Sequence, residues 1–248
     1  MAKDLFSDRA DLYARYRPTY PKELYDHILS FVKEKNIAWD CATGNGQAAI
    51  VLADHFKRVI ATDISASQIE KATPKENIEY LVCPAESTPF EAATFDLVTV
   101  AQAYHWLKWD EFRKEVTRVC KPGAIIAIWT YYRNTTGDKR VDDAVYNFYK
   151  TVTKPYWDYE RKYVEEKYET VEFDYDLLSE ETFDSIVHWQ REDLVGYISS
   201  WSAIQKFIKI QGHSPILIIE KEIKKFWPEG EIKQVSFPIY LKLGRIFK

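Results

Sequence analysis

The sequence predicts an α/β protein built on a doubly wound, mostly parallel sheet. Three observations predict it. Short apolar runs alternate with helical patterns through residues 37–132, the order that packs helices on both faces of parallel strands. A glycine-bearing loop, Gly44-Asn45-Gly46, follows the first run and opens a helical pattern. Acidic or polar residues stand at the ends of successive runs, where such sheets bind ligands.

The elements follow in order. Residues 21–35, PKELYDHILSFVKEK, set Leu24, Ile28, Phe31 and Val32 on one helical face behind a starting proline. Residues 37–41 form a first strand, and a helix after the glycine loop carries Ala48, Ile50, Val51, Leu52 and Ala53. RVIATD (58–63) is a strand closing on an acid, followed by a short helix over 66–72. NIEYLVC (77–83) and FDLVTVAQA (95–103) are the third and fourth strands. The spacing of Phe112, Val116 and Val119 predicts a helix over 109–119, stopped by Lys121-Pro122-Gly123, before a fifth strand AIIAIWTYY (124–132). Beyond 132 the alternation lapses. The charged, aromatic stretch 137–178 reads as helices of an insertion, and TFDSIVHWQ (182–190) as a sixth strand. Residues 191–210 and 215–227 read as amphipathic helices, and QVSFPIYLKLGRIF (234–247) as a closing strand. One domain is expected, in four stretches: an N-terminal latch and helix (1–36), a ligand-binding core (37–132), a helical insertion or lid (133–181), and a C-terminal part that completes the sheet (182–248).

Composition narrows the partners. A chain of 248 residues, 46% hydrophobic and 29% charged, suits a globular fold. Its net charge of −4 disfavours nucleic acid, which asks for a basic surface. The longest apolar runs, AIIAIW and ILII, are too short to span a bilayer, and the opening MAKDLFSDRADLYARYR lacks the apolar core of a signal peptide. Cys41, Cys83 and Cys120 are widely spaced, without CxxC or histidine pairing, and read as free thiols rather than metal ligands. The expectation is a cytoplasmic protein acting on a small molecule, with no nucleic acid, membrane or metal partner.

The fragment WDCATGNGQAA (39–49) fits the pattern G-x-G-x-x-[GA] through Gly44, Gly46 and Ala49. Alone, it suits a dinucleotide pyrophosphate at a helix N-terminus as well as a cofactor without phosphate. Asp63 suits either, since both carry a ribose, and capping of the next helix is a further role open to it. Asp40 would suit the positive charge of a sulfonium or ammonium.

Further segments discriminate. DCATGNGQ, VIATDIS, VCPAESTPF, FDLVTVAQAYHW and EVTRVCKPGAIIAIW occur in one order and spacing over residues 37–130. Together they resemble the class I S-adenosylmethionine-dependent methyltransferases, in the UbiE-like, type 11 group that includes trans-aconitate methyltransferase. A weaker likeness to that branch covers FSDRADLYARYRPTYP and ISSWSAIQKF (198–207). The resemblance implies a seven-stranded Rossmann-like sheet with an antiparallel last strand, and S-adenosylmethionine as cofactor. It places Asp40, Ala42, Gly44 and Gly46 around the methionine moiety, Asp63 on the ribose and Ile64 on the adenine face. Ala85 offers its amide to the adenine, Gln102 lies beside the methionine end, and Glu86 is a candidate for the adenine amino group, since Pro84 stands where an aspartate is common. Ala42 stands where a glycine is usual, which is tolerable only at negative φ or with a slightly looser approach to the ligand.

On the acceptor side, His105 after the fourth strand is the candidate for acid–base or orienting work, because histidine titrates near neutral pH. Trp106 is read as a pocket wall. Tyr13, Tyr16 and Arg17 form a latch over the site, with Arg17 a partner for the methionine carboxylate or an acidic substrate. Trp201, with the insertion's Tyr146, Tyr149, Tyr156, Trp157 and Tyr159, is a candidate lining for the acceptor. The function expected is methyl transfer to a small molecule, with a carboxylate as one candidate nucleophile. A nicotinamide-dependent oxidoreductase and a non-catalytic binding protein of the same fold are the alternatives.

Overall fold

The computed structural model describes residues 16–247, so Tyr13 lies outside the described residues. Seven strands form one sheet in the order β3-β2-β1-β4-β5-β7-β6: β1 (Ile37–Cys41), β2 (Arg58–Asp63), β3 (Ile78–Val82), β4 (Phe95–Ala101), β5 (Cys120–Tyr131), β6 (Asp176–Trp189) and β7 (Lys233–Arg245). All neighbours are parallel except β7, which runs antiparallel to both β5 and β6. The sheet is therefore the seven-stranded, mostly parallel one expected, with its last strand reversed.

Strand periodicity divides the core in two. Ala38, Val59, Ala61, Leu97, Ile125, Ala127 and Trp129 face one apolar layer with α1 (Lys22–Ser30) and α2 (Gln47–Leu52). Their neighbours Trp39, Cys41, Ile60, Val98, Val100, Ile126 and Ile128 face the other, with the helix Trp109–Val119. At the amino edge, Asp96 accepts from the amides of Asn36 and Ile37 and from Lys121 Nζ, tying β1, β4 and β5 together.

Several boundaries differ from the sequence reading. The Lys121-Pro122-Gly123 stop is a bulged start of β5: Gly123 turns at φ +81° and the register shifts between Phe95 and Leu97. β6 begins at Asp176, six residues before the expected 182, because it is an edge strand whose charged, exposed half has no apolar alternation to read. Helix α3 is one turn, Ala66–Ile69, and α4 is the expected Trp109–Val119. The insertion holds α5 (Lys139–Phe148), a π turn (Tyr149–Thr153), a 3₁₀ turn (Lys154–Tyr156) and α6 (Arg161–Glu165). The stretch 191–210 is two helices, α7 (Arg191–Ser199) and α8 (Ser202–Gln211), parted at Ser200–Trp201, and α9 (Ile216–Ile223) ends early. No helix among the described residues is long and apolar enough to cross a membrane.

Tyr16 packs on α7 where Gly196 leaves room: a Cβ there would stand 2.5 Å from the Tyr16 ring. Gly196→Ala should therefore lower the melting temperature, although alanine inside a helix normally gains up to about 1 kcal/mol. In Tyr16→Ala the same change should cost nothing, a coupling that thermal melts of the four proteins will read.

Candidate active site

Parallel pairing brings the ends of β1, β2, β3 and β4 to one edge, with the glycine loop between β1 and α2. The loop alternates in hand: Ala42 at φ +54°, Gly44 at +58° and Gly46 at +88° are all left-handed. Ala42 thus lacks the negative φ that would make it comfortable there, which leaves a looser approach as the other way to tolerate it. The Thr43 amide donates to Thr62 O at 2.9 Å and the Gly44 amide to Asp63 Oδ2 at 2.8 Å, so the turn is held from β2, and Ala42 carries a strain of about 1–2 kcal/mol. Gly46 has a second reason to be glycine, since a Cβ would lie 2.4 Å from Tyr80 Oη.

Two carboxylates organise this loop. Asp63 Oδ1 accepts from the Ser65 amide at 2.8 Å while its other oxygen holds Gly44, so one side chain joins the end of β2 to the loop and to the start of α3. Asp40 is buried and accepts from Thr43 Oγ1 and from Thr99 Oγ1 at 2.7 Å. Burial outweighs these bonds and pushes its pKa up to about 6. Thr99 was not anticipated, because nothing in the local sequence around β4 announces that it faces Asp40.

Ile64 is 42% exposed and Val82 54%, leaving apolar surface at the ends of β2 and β3, while Ala85 is buried. Glu86 Oε1 accepts from the Lys108 amide at 3.1 Å, capping the approach to α4. Gln102 sits at φ +56° with its amide turned on β5: Oε1 accepts from Thr130 Oγ1 and the Tyr131 amide, and Nε2 donates to Tyr131 O. Its side chain is engaged in joining β4 to β5 rather than displayed to a ligand.

His105 corrects a larger expectation. It lies in a 3₁₀ turn, Tyr104–Trp106, is 6% exposed, and has Nδ1 2.7 Å from Tyr168 Oη. Burial, reinforced by the Arg161 charge, lowers its pKa to about 3. The imidazole is neutral at physiological pH and does not titrate there. Its partner Tyr168 is 63 positions away in sequence, so neither burial nor pairing was legible. Trp106 lies against the His105 ring, 4.7 Å between centroids.

The remaining residues form an aromatic cluster above β5. Arg17 donates to Tyr131 Oη at 2.9 Å and lies 5.4 Å from the Tyr197 ring. Trp201 is buried among Tyr149, Trp157 and Tyr197. The insertion's aromatics divide: Tyr149 and Trp157 join this cluster, Tyr156 packs on Phe207, Tyr146 stacks under Arg133, and Tyr159 is 73% exposed. A groove of about 590 Å³ lies at the amino ends of β2 and β3, where Arg58–Glu79 and Lys75–Asp54 pair across a solvated surface.

Comparison with known proteins agrees with this geometry. Residues 39–128 match the family described as a methyltransferase domain. A Dictyostelium discoideum protein provisionally named a methyltransferase is 32% identical over 98% of this chain and 95% of its own length. The chain belongs to the class I S-adenosylmethionine-dependent methyltransferases. A solved Anaeromyxobacter dehalogenans structure, provisionally a type II methyltransferase, aligns with TM-score 0.85 at 33% identity, over 94% of this chain and 99% of that one. An uncharacterized methyltransferase-like protein of Schizosaccharomyces pombe is 32% identical over 51% of each chain. These relatives bear on the family and not on the trans-aconitate branch. Family membership decides against the nicotinamide reading of the glycine loop.

Two predictions follow from the buried charges. The folded pKa of His105 lies below its unfolded value, so its contribution to stability is present above about pH 6.5 and lost as pH falls. That of Asp40 lies above, so its contribution is present in acid and lost as pH rises from about 4 to about 6. The stability difference between wild type and His105→Phe should therefore grow with pH from 4 to 6.5, by at most about 1.4 kcal/mol per unit, while that between wild type and Asp40→Asn should shrink; denaturant titrations at each pH will show whether the slopes oppose. Separately, Ala42→Gly should raise stability by about 1 kcal/mol, and an unchanged melting temperature would contradict strain at that turn.

Proposed function

We propose that this chain transfers a methyl group from S-adenosylmethionine to a small-molecule acceptor, with a carboxylate as the preferred nucleophile. The observation that supports the donor site most is Asp63, which braces Gly44 and Ser65 beside the exposed face of Ile64.

The residues present fit that donor. Its positive charge suits an edge carrying Asp40 and Asp63, its ribose diol suits the Asp63 carboxylate, and its adenine suits the apolar surface of Ile64 with Ala85 and Glu86 behind it. Open space in front of Gly44, where a Cβ would meet nothing nearer than 3.8 Å, allows close backbone approach. Ala42, Gly46 and Gln102 shape the wall on the methionine side, and Arg17 provides a guanidinium for its carboxylate. When bound, S-adenosylmethionine supplies an activated methyl carbon, which passes to an acceptor lone pair as the C–S bond breaks and its electron pair returns to sulfur.

What the protein adds is placement. Holding two reactants in line can contribute roughly 7–11 kcal/mol. His105, neutral and buried, serves as a hydrogen-bonding wall with Trp106, not as a base. An acceptor that arrives already ionised needs none, which is the reason for preferring a carboxylate. Tyr16 and Trp201 would close the acceptor side.

Calorimetry tests the donor half. S-adenosylmethionine should bind and NADH should not. Asp63→Ala should weaken binding at least tenfold, about 1.4 kcal/mol or more, and unchanged affinity would remove Asp63 from the site. Because a cation favours ionised Asp40, affinity for S-adenosylmethionine should rise as pH passes through about 6, and Asp40→Asn should flatten that dependence.

A further inference from the structure

Arg161, the first residue of α6 in the insertion, carries the feature that the donor site leaves unexplained. Its guanidinium lies 4.4 Å from the Trp157 ring centroid and 5.3 Å from that of Tyr132. Tyr132 directly follows β5, so the charge stands over the ligand edge of the sheet. Its Nε is buried with no hydrogen-bond partner. No ion pair joins Arg161 to a carboxylate among the described residues. Of the acids close to it in the chain, Glu165 pairs with Lys154 and accepts from the Tyr149 hydroxyl, and Asp158 pairs with Lys206. The Arg161 guanidinium is hydrogen-bonded to the neutral Tyr149 hydroxyl, and its charge also acts on His105, Tyr132 and Tyr197. Arg17 also acts on Tyr197.

A guanidinium is planar and presents its donors as a fork that matches an oxyanion. Stacked on aromatic rings it is held in place but not neutralised. We propose that Arg161 is the acceptor-anchoring residue, receiving an oxyanion, carboxylate or phosphate monoester, of a substrate whose apolar part lies against Trp157 and Tyr132. This rests on the methyltransferase reading of the edge, and it adds a specificity determinant contributed by the insertion rather than by the sheet.

Binding measurements separate it from that reading. Benzoate, phenylacetate, octanoate and phenyl phosphate, with the corresponding amides and phenol as neutral controls, are titrated against the protein saturated with S-adenosylhomocysteine, following tryptophan fluorescence. At least one oxyanion should bind ten times more tightly than its neutral counterpart. Which one does so distinguishes carboxylate from phosphate. Arg161→Gln should abolish the preference, Arg161→Lys should keep part of it, and both should bind S-adenosylhomocysteine within twofold of wild type. Equal binding of acids and neutral controls, absence of binding by every oxyanion, or an unaltered preference in Arg161→Gln would overturn the proposal. A lowered melting temperature with the preference intact would do the same, showing a cation that only fastens the insertion. Failure of wild type to bind S-adenosylhomocysteine would overturn the donor site instead, and the oxyanion titration on the unliganded protein would still decide the role of Arg161.

Discussion

The ligand edge depends on one carboxylate shared between two backbone amides. Asp63 ends β2, takes the amide of Gly44 with one oxygen and that of Ser65 with the other, and so couples a loop after β1 to a helix start after β2. Hydrogen bonds to a charged acceptor are stronger than neutral ones, and here they secure a loop with three left-handed residues. Without that brace the alanine among the three would have little reason to stay at positive φ. Asp40 extends the same logic inward, through threonine hydroxyls on the loop and on β4.

The two kinds of buried titratable group at this edge are set against each other. Asp40 is buried at a cost that grows as it ionises, and His105 at a cost that grows as it protonates. Near neutral pH the first is charged and the second is not. A cationic ligand offsets the first cost, whereas nothing in the surroundings favours a charged imidazole, because Arg161 stands near it. These opposed costs are consistent with the proposed pairing of a positive donor with an acceptor that brings its own negative charge.

Much of this was legible in the sequence, for reasons that can be named. The strands and helices of residues 37–131 announce themselves because buried parallel strands are continuously apolar and their helices amphipathic. Asp63, Ile64 and the glycine loop could be placed because their positions relative to strand ends follow from chain order alone. What was not legible depends on distant partners. Tyr168 fixes the state of His105, Thr130 and Tyr131 occupy Gln102, and Tyr16 finds its place through a glycine on α7. The start of β6 was missed because an edge strand can be charged and exposed and still pair fully along β7. Arg161 was missed for another reason: an arginine in a charged, aromatic stretch looks solvated until the fold stacks it on Trp157.

The division between legible and illegible residues follows the division of labour in the fold. The donor half is made from strand ends and the short loops after them, so its groups recur at positions set by the sheet. The half proposed for the acceptor draws on Arg17, the insertion and the helices before β7, which meet only in three dimensions around Tyr149, Trp157, Tyr197 and Trp201. These stretches hold neither the glycine loop nor the parallel ladder, so substitutions in them can reshape the acceptor side while Asp40, Asp63 and their partners stay in place. The guanidinium of Arg161 stands on that part of the chain, apart from the carboxylates that hold the glycine loop.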